Sequence, residues 1–122
     1  MLWYPSPDEI VKANKIAVRK DKHRDKLLRT VDGIQATIDS VKDSESMGLT
    51  YQAALFMKKL TTLHAFDGGN HRTAYSIAIL FLIKNGVKVR VVPASVSYGF
   101  SKGIASKKVE ELQEWIGRHM AT

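Results

Sequence analysis

Cysteine is absent from this sequence of 122 residues, which excludes disulfide bonds and thiolate metal ligands. Long apolar runs are absent too: the most apolar segment covers residues 74–83, well short of the roughly 20 residues that a membrane-spanning helix needs. The opening MLWYPSPDEI lacks the basic flank and long apolar stretch of a secretory signal. We therefore expect a single cytoplasmic domain over residues 1–122, with no membrane contact.

Acidic residues are in the minority, with 12 Asp and Glu against 19 Lys and Arg, and the formal net charge is +7. Residues 12–29 are dense in Lys and Arg, relieved by Asp21 and Asp25. Such a segment fits an anionic partner (nucleic acid, an acidic protein or a nucleotide), but it equally fits a solvated helix face. Aromatic residues that could stack on nucleic acid are not interleaved with it. A basic nucleic-acid-binding domain is therefore the third-ranked function.

A helix start is encoded close to the N-terminus. Ser6 suits the N-cap, Pro7 suits the first helical position, and Glu9 completes a capping box. The apolar residues that follow recur at helical spacing, which predicts a stripe facing the core. The predicted stripe consists of Ile10, Ala13, Ile16, Ala17 and Val18.

Helical spacing continues in a second segment, with Thr30 as its candidate cap, and in a third segment over residues 50–64. Residues 44–48 between them read as a loop. The predicted inward residues are Val31, Ile34, Ile38 and Val41 in the second helix, and Ala53, Phe56, Met57, Leu60 and Leu63 in the third.

A fourth helix, apolar on nearly every side, is predicted to end at Lys84-Asn85-Gly86 and to form the buried centre of the fold. Residues 87–92 suggest a short extended segment, and residues 96–100 one or two helical turns. Ser106 is the predicted cap of a last amphipathic helix. The sum is an all-α, compact bundle around a hydrophobic central helix, with at most a minor β element. The last helix carries Val109, Leu112, Ile116 and Met120 inward, with Trp115 beside them.

Nine residues between the third and fourth helices, HAFDGGNHR at 64–72, are the strongest functional signal. The start of a helix presents unpaired N–H groups and the positive end of the helix dipole, which together bind anions. Gly68 and Gly69 allow close approach of a phosphate, Asn70 can cap the helix or contact the ligand, and Arg72 can hold phosphate oxygens. His64 could face the same site as a general base.

Each of these residues also has a plain structural interpretation. A glycine pair most often forms a turn, an asparagine at a helix start most often caps it, and an arginine is usually a surface cation. Phe66 is most simply a core anchor that fixes the loop. Because all of them occur together in this order, we favour a site for chemistry at a phosphate over a bare turn.

HAFDGGNHRTA resembles the signature HxFx[D/E]GN[G/K]R of the Fic/Doc (Fido) family, and RTA followed by LFLIKNG is most similar to its Doc branch. YPSPDEIVKANK, HRDKLLRTVDGIQATI and LQEWI resemble other parts of Doc-like proteins, so the likeness covers nearly the whole chain. It implies a Fido fold and transfer of a phosphate or an AMP group from ATP or another nucleoside triphosphate to a hydroxyl of a target protein.

Carried over by position, the resemblance implies roles for individual residues. His64 is the base that takes the hydroxyl proton, Gly69 and Asn70 form the anion hole, and Arg72 binds phosphate. The family's acidic residue, which holds the Mg²⁺ bridging the phosphates, falls on Gly68, so Asp67 is the nearby candidate metal ligand. His71 stands where the family has glycine or lysine, and it counts among the candidate phosphate- or nucleotide-binding residues together with Gly68, Gly69, Asn70 and Arg72.

These two departures leave a second function open, a catalytically silent Fido-fold module that binds a nucleotide or a protein. The resemblance to Doc-like toxins implies a candidate antitoxin protein as a partner. An internal inhibitory motif of the form [S/T]xxxE[G/N] is not matched, since Ser106 and Glu110 are followed by Glu111. We interpret Ser106 and Glu110 as an ordinary helix start with an acidic first turn.

Overall fold

The computed structural model describes residues 1–18, 31–90, 92, 100 and 103–121. Within these ranges the chain is all-α, as predicted, and an isolated antiparallel bridge between Val89 and Ala121 adds a minor β element. No helix in these ranges is long and apolar enough to span a bilayer. The helices are α1 (Pro7–Ala17), α2 (Val31–Asp43), α3 (Leu49–Leu63), α4 (Asn70–Lys84) and α5 (Val109–His119), with 3-10 turns at Glu45–Met47 and Ile104–Ser106.

The start of α1 is the capping box that the sequence predicts. Ser6 Oγ accepts from the backbone N–H of Glu9 at 3.2 Å, and Glu9 Oε1 accepts from the N–H of Ser6 at 3.0 Å. Pro7 occupies the first helical position, where its missing N–H costs nothing. This local arrangement fixes where α1 begins, and so where its C-terminal end meets the rest of the fold.

Helix α3 is the hub of the bundle: it packs against α2, α4 and α5, while α1 packs against α4. Phe56 of α3 meets Phe81 of α4 with ring centroids 5.4 Å apart. Each fully buried side chain of this size contributes roughly 1.5–3 kcal/mol. The helix α4 is less enclosed than its apolar sequence predicts, since Ile83 is 53% exposed.

Two residues of the predicted apolar stripes are exposed to solvent. Ile16 is 68% exposed and Val31 is 46% exposed. On α1 the buried positions are Ile10 and Asn14, and Ile16 is turned away from them because successive helical residues are about 100° apart. The polar residue Asn14 occupies an inward position of α1. A prediction that followed only the apolar residues therefore placed part of the buried face on the wrong side of the helix. Val31 is the first residue of α2, at the exposed end of its stripe.

The predicted cap of the last helix is wrong. Ser106 ends the 3-10 turn Ile104–Ser106, and its hydroxyl donates to the carbonyl of Gly103 at 3.0 Å. The helix α5 begins at Val109, after Lys108, whose backbone N–H donates to Glu111 Oε1 at 3.3 Å. The inward residues Leu112, Ile116 and Met120 are buried as predicted.

Several predictions concern residues outside the described ranges or differ in detail. Thr30, the basic residues of 19–29 and the predicted turns at 96–99 lie outside the described residues. The predicted loop at 44–48 contains the 3-10 turn Glu45–Met47. The helix α4 ends at Lys84, with Asn85 as its C-cap and Gly86 at φ 86°, as the sequence predicts.

Candidate functional site

The loop between α3 and α4 begins at His64, which ends α3 in a left-handed conformation with φ 51° and ψ 52°. Among the residues that the structure describes, His64 is the only non-glycine residue with a positive φ. A side chain in this conformation is uncommon and costs of the order of 1 kcal/mol or more. The histidine is nevertheless exposed, so burial of its ring is not what holds it there. Helices commonly end in a left-handed residue, usually glycine, so what is unusual at this helix end is the residue type and not the conformation.

Phe66 anchors the loop and Asn70 closes it. The Phe66 side chain is 2% exposed and belongs to the core. Its backbone N–H donates to Asn70 Oδ1 at 3.1 Å, and its carbonyl accepts from Asn70 Nδ2 at 2.8 Å. Asn70 is itself buried. The asparagine amide therefore holds the loop shut, and any contact of Asn70 with an anion would come from its backbone N–H.

Gly69 lies against the C-terminal turn of α1. Its φ of 72° is left-handed, and a Cβ at this position would come within 2.6 Å of Val18 Cγ1 and 3.3 Å of Asn14 Nδ2. Real Cβ atoms essentially never come within 3.0 Å of another atom, so Val18 would have to move. Glycine is thus required here twice over, by backbone conformation and by space. Gly68, by contrast, is not among the described glycines whose φ is positive.

The first turn of α4 has the features of an anion site. Thr73 N–H makes the first bond within the helix, to the carbonyl of Gly69 at 2.9 Å. The amides of Asn70, His71 and Arg72 precede it, and amides at that position in a helix have no acceptor inside the helix. His71 and Arg72 are exposed on this turn. An anion approaching it meets N–H groups, a positive dipole end and a cation.

Arg72 also contacts α1. Its Nη1 donates to the backbone carbonyl of Ala17 at 3.2 Å, at the end of α1 where carbonyls lack partners within the helix. Arg72 thereby complements the negative end of the α1 dipole. Because the guanidinium has five N–H donors, this bond leaves donors for a phosphate. The side chain thus lies between the end of one helix and the start of another.

Asp67 is the carboxylate of the loop and is exposed. The described residues contain no group of three or more His, Cys, Asp or Glu that could hold a metal ion. Mg²⁺ is commonly held by one or two carboxylates together with substrate phosphates, so it does not need such a cage. If Mg²⁺ bound beside this loop in that way, Asp67 is the loop carboxylate that would hold it.

The structure brings the predicted residues Asp67, Gly68, Gly69, Asn70, His71 and Arg72 into one loop and helix start, with His64 at the end of the preceding helix. Sequence reasoning missed Asn14 and Ala17, which reach the loop from α1. A signal for Asn14 was present: it sits one helical turn after Ile10, at an inward position. The local pattern does not show which loop it meets.

A family model described as the Fic/DOC family matches residues 4–82, well over half of the chain. The chain therefore belongs to the Fic/DOC family. The match spans α1 to the last turns of α4, and it includes the loop just described. Comparison with curated proteins gives no match to this chain.

Proposed function

We propose that this protein transfers a phosphate or a nucleotidyl (AMP) group from a nucleoside triphosphate to a Ser, Thr or Tyr hydroxyl of another protein. The observation that carries the proposal is the conformation of His64. An exposed histidine is held in the left-handed region at the end of α3, in the same loop as the anion-binding start of α4. Membership of the Fic/DOC family supports the same chemistry.

In this mechanism His64 accepts the proton of the target hydroxyl while that oxygen attacks phosphorus. The leaving group is pyrophosphate if the AMP group is transferred, and a nucleoside diphosphate if the terminal phosphate is transferred. A positioned base of this kind contributes typically about 10²–10⁴ in rate. The amides at the start of α4, together with Arg72, stabilise negative charge on the phosphate oxygens. Asp67 would hold Mg²⁺, which neutralises phosphate charge when it is bound.

His71 bears on which group is transferred. It projects from the first turn of α4 where a family member of the AMP-transferring type has glycine and a Doc-like member has lysine. A side chain at this position narrows the space beside the anion-binding turn. We therefore favour transfer of the terminal phosphate.

The test is incubation of the protein with lysates and with triphosphate labelled at either the α or the γ phosphate, in Mg²⁺ and in Mn²⁺. We expect protein-bound label from the γ position and loss of labelling in His64→Asn, because asparagine tolerates the left-handed conformation. The matched control is His119→Gln, which removes the histidine that ends α5, outside the loop segment. Absence of transfer from both donors, or equal labelling by His64→Asn, would refute the proposal.

A second function, a silent module that binds a nucleotide or a protein, is favoured by how the loop residues are occupied. The Asn70 side chain is bonded to Phe66, Arg72 donates to Ala17, and Gly68 has no carboxylate. The bonds of Asn70 and Arg72 compete with an anion for these two side chains, and Gly68 lacks the carboxylate that holds the metal ion in the family pattern. Nucleotide binding by calorimetry without any label transfer would favour this function over the transferase.

A further inference from the structure

Asn14 of α1 is a polar side chain inside the core, and it is fully buried. Its Nδ2 donates to the carbonyl of Gly68 at 2.8 Å and to Thr73 Oγ1 at 3.1 Å. Its Oδ1 has no hydrogen-bond partner among the described residues. An apolar side chain of similar size would avoid the cost of burying that oxygen. The residue is therefore poorly explained by stability alone.

The orientation of the Asn14 amide follows from its surroundings. Thr73 has one hydroxyl hydrogen, and it donates this hydrogen to the carbonyl of Gly69 at 2.7 Å. Thr73 Oγ1 must therefore accept from Asn14, and the Gly68 carbonyl can only accept. Both neighbours require the nitrogen of the Asn14 amide, not its oxygen. Asn14 thus holds the carbonyl of Gly68 directly. Through the Thr73 hydroxyl it adds a second hold on the carbonyl of Gly69, which also accepts from the Thr73 backbone N–H at 2.9 Å.

Holding these two carbonyls also sets the direction of two amides. The peptide unit is planar, and a trans unit points its N–H opposite to its carbonyl. The described chain contains no cis peptide bond. With the carbonyls of Gly68 and Gly69 bonded toward Asn14 and Thr73, the N–H groups of Gly69 and Asn70 point the other way. Those two N–H groups are the donors of the N-cap and of the first residue of α4.

We propose that Asn14 is a positioning residue that aims the Gly69 and Asn70 amides at the anionic group of the ligand. This inference rests on the proposed function to the extent that the anion is a triphosphate. Asn14 lies outside the HAFDGGNHR segment and acts through the loop carbonyls. The segment alone has glycines free to adopt other conformations, and Asn14 removes that freedom before the ligand arrives.

The first variant is Asn14→Leu, which removes the Nδ2 donor and the unpartnered Oδ1 while nearly keeping the side-chain volume. We expect its melting temperature to fall only moderately, because removal of the buried, unpartnered Oδ1 offsets part of the cost of leaving the Gly68 carbonyl without its donor. Its affinity for inorganic tripolyphosphate should fall by about tenfold to a hundredfold, the range for hydrogen bonds to a charged group. The probe is tripolyphosphate because it presents the charge without a base or a sugar.

The second variant is Thr73→Val, which removes the relay hydroxyl and nearly keeps the side-chain shape. Its matched control is Thr37→Val, since Thr37 is also buried and also donates to the carbonyl four residues earlier, that of Gly33, at 3.1 Å. Thr73→Val should weaken tripolyphosphate binding, whereas Thr37→Val should leave binding unchanged at a comparable melting temperature. This pair keeps the inference testable if Asn14→Leu does not fold.

The readout that separates positioning from mere structure is the backbone amide spectrum. In the unmodified protein, tripolyphosphate should shift the Gly69 and Asn70 amide resonances, and those shifts should be reduced in Asn14→Leu and in Thr73→Val. Unchanged affinity in both variants would overturn the inference, as would the absence of amide shifts in the unmodified protein. Tripolyphosphate binding without label transfer would count against the transferase, but it would leave the role of Asn14 intact.

Discussion

Phe66 and Asn70 exchange two hydrogen bonds across four residues, so that the backbone of a core residue is tied to the side chain at the start of α4. The exchange closes the loop that holds Asp67, Gly68 and Gly69. Since the Phe66 side chain is packed in the core, the position of the loop is fixed relative to the rest of the bundle. The conformation of the first turn of α4 therefore depends on interactions that the fold itself supplies.

Replacing Asn70 by alanine should lower the free energy of unfolding by about 2–4 kcal/mol, because both Phe66 backbone groups lose their partner in a buried place. The measurement is urea denaturation. The control is Gln35→Ala, which removes a side-chain bond to Asp39 on the surface of α2 and should cost less than about 0.5 kcal/mol. Equal costs for the two variants would contradict the role assigned to Asn70.

Replacing His64 by glycine should raise the free energy of unfolding by about 0.5–1 kcal/mol while abolishing transfer activity. Glycine adopts φ 51° without strain, and the exposed imidazole gives up little packing. Denaturation and labelling assays on the same preparation check both halves. A less stable His64→Gly protein would show that the histidine serves the fold and is not strained for function.

Gly69→Ala should lower the free energy of unfolding by about 2–4 kcal/mol, combining the left-handed conformation with the contact against Val18. In a Val18→Ala background the cost should fall by about 1 kcal/mol, because only the steric part is relieved. Gly86→Ala is the matched control: its φ is 86°, but a Cβ there has no neighbour within 4 Å. Equal costs at the two glycines would disprove the tight contact with α1.

Arg72→Gln should change the free energy of unfolding by less than about 1 kcal/mol, since the guanidinium is exposed and its bond to Ala17 lies at a helix end. It should weaken triphosphate binding by about tenfold or more, which calorimetry would measure. Arg72→Lys keeps the charge but lacks the planar guanidinium. Its affinity for triphosphate should lie between that of the unmodified protein and that of Arg72→Gln. A large loss of stability with unchanged affinity would mark Arg72 as a brace for α1.

Expression of the chain in bacteria should arrest growth if the protein is a toxin of the Doc type, and His64→Asn should relieve the arrest. The measurement is a growth curve after induction, with immunoblots to show equal amounts of soluble protein. Co-expression of a partner that restores growth would identify the antitoxin expected from the resemblance. Harmless expression of the folded, unmodified protein would instead favour the silent binding module.

Features set by neighbours along the chain could be predicted from the sequence. The capping box of Ser6 and Glu9 and the end of α4 at Lys84 depend on residues within one turn, and both are confirmed. The order of the loop residues is local too, which is why the family and the all-α fold were accessible. Ser106 shows the limit, because its hydroxyl bonds back to Gly103 instead of starting α5.

Features that depend on two distant segments could not be predicted. Asn14 and Gly68 are 54 positions apart, and Ala17 and Arg72 are 55 apart, so their contacts follow from how α1 packs on α4. Helical periodicity predicts which face of a helix is buried, but it does not predict which other segment packs against that face. Ile16 shows a separate limit, because it was assigned to the inward stripe as an apolar residue although helix geometry turns it away from Ile10 and Asn14.

The bonds of Asn85 have a consequence for attaching other proteins to this one. Asn85 pairs with both backbone groups of Trp3, while Arg90 N–H donates to the carbonyl of Met120 and Val89 bridges to Ala121. Trp3 is thus bonded to the residue that directly follows α4, and the last described residues are bonded to Val89 and Arg90 a few positions further along the chain. The loop at the other end of this 15-residue helix lies roughly 22 Å away. A fusion placed ahead of Trp3 would therefore begin at the end of α4 that is opposite to the loop.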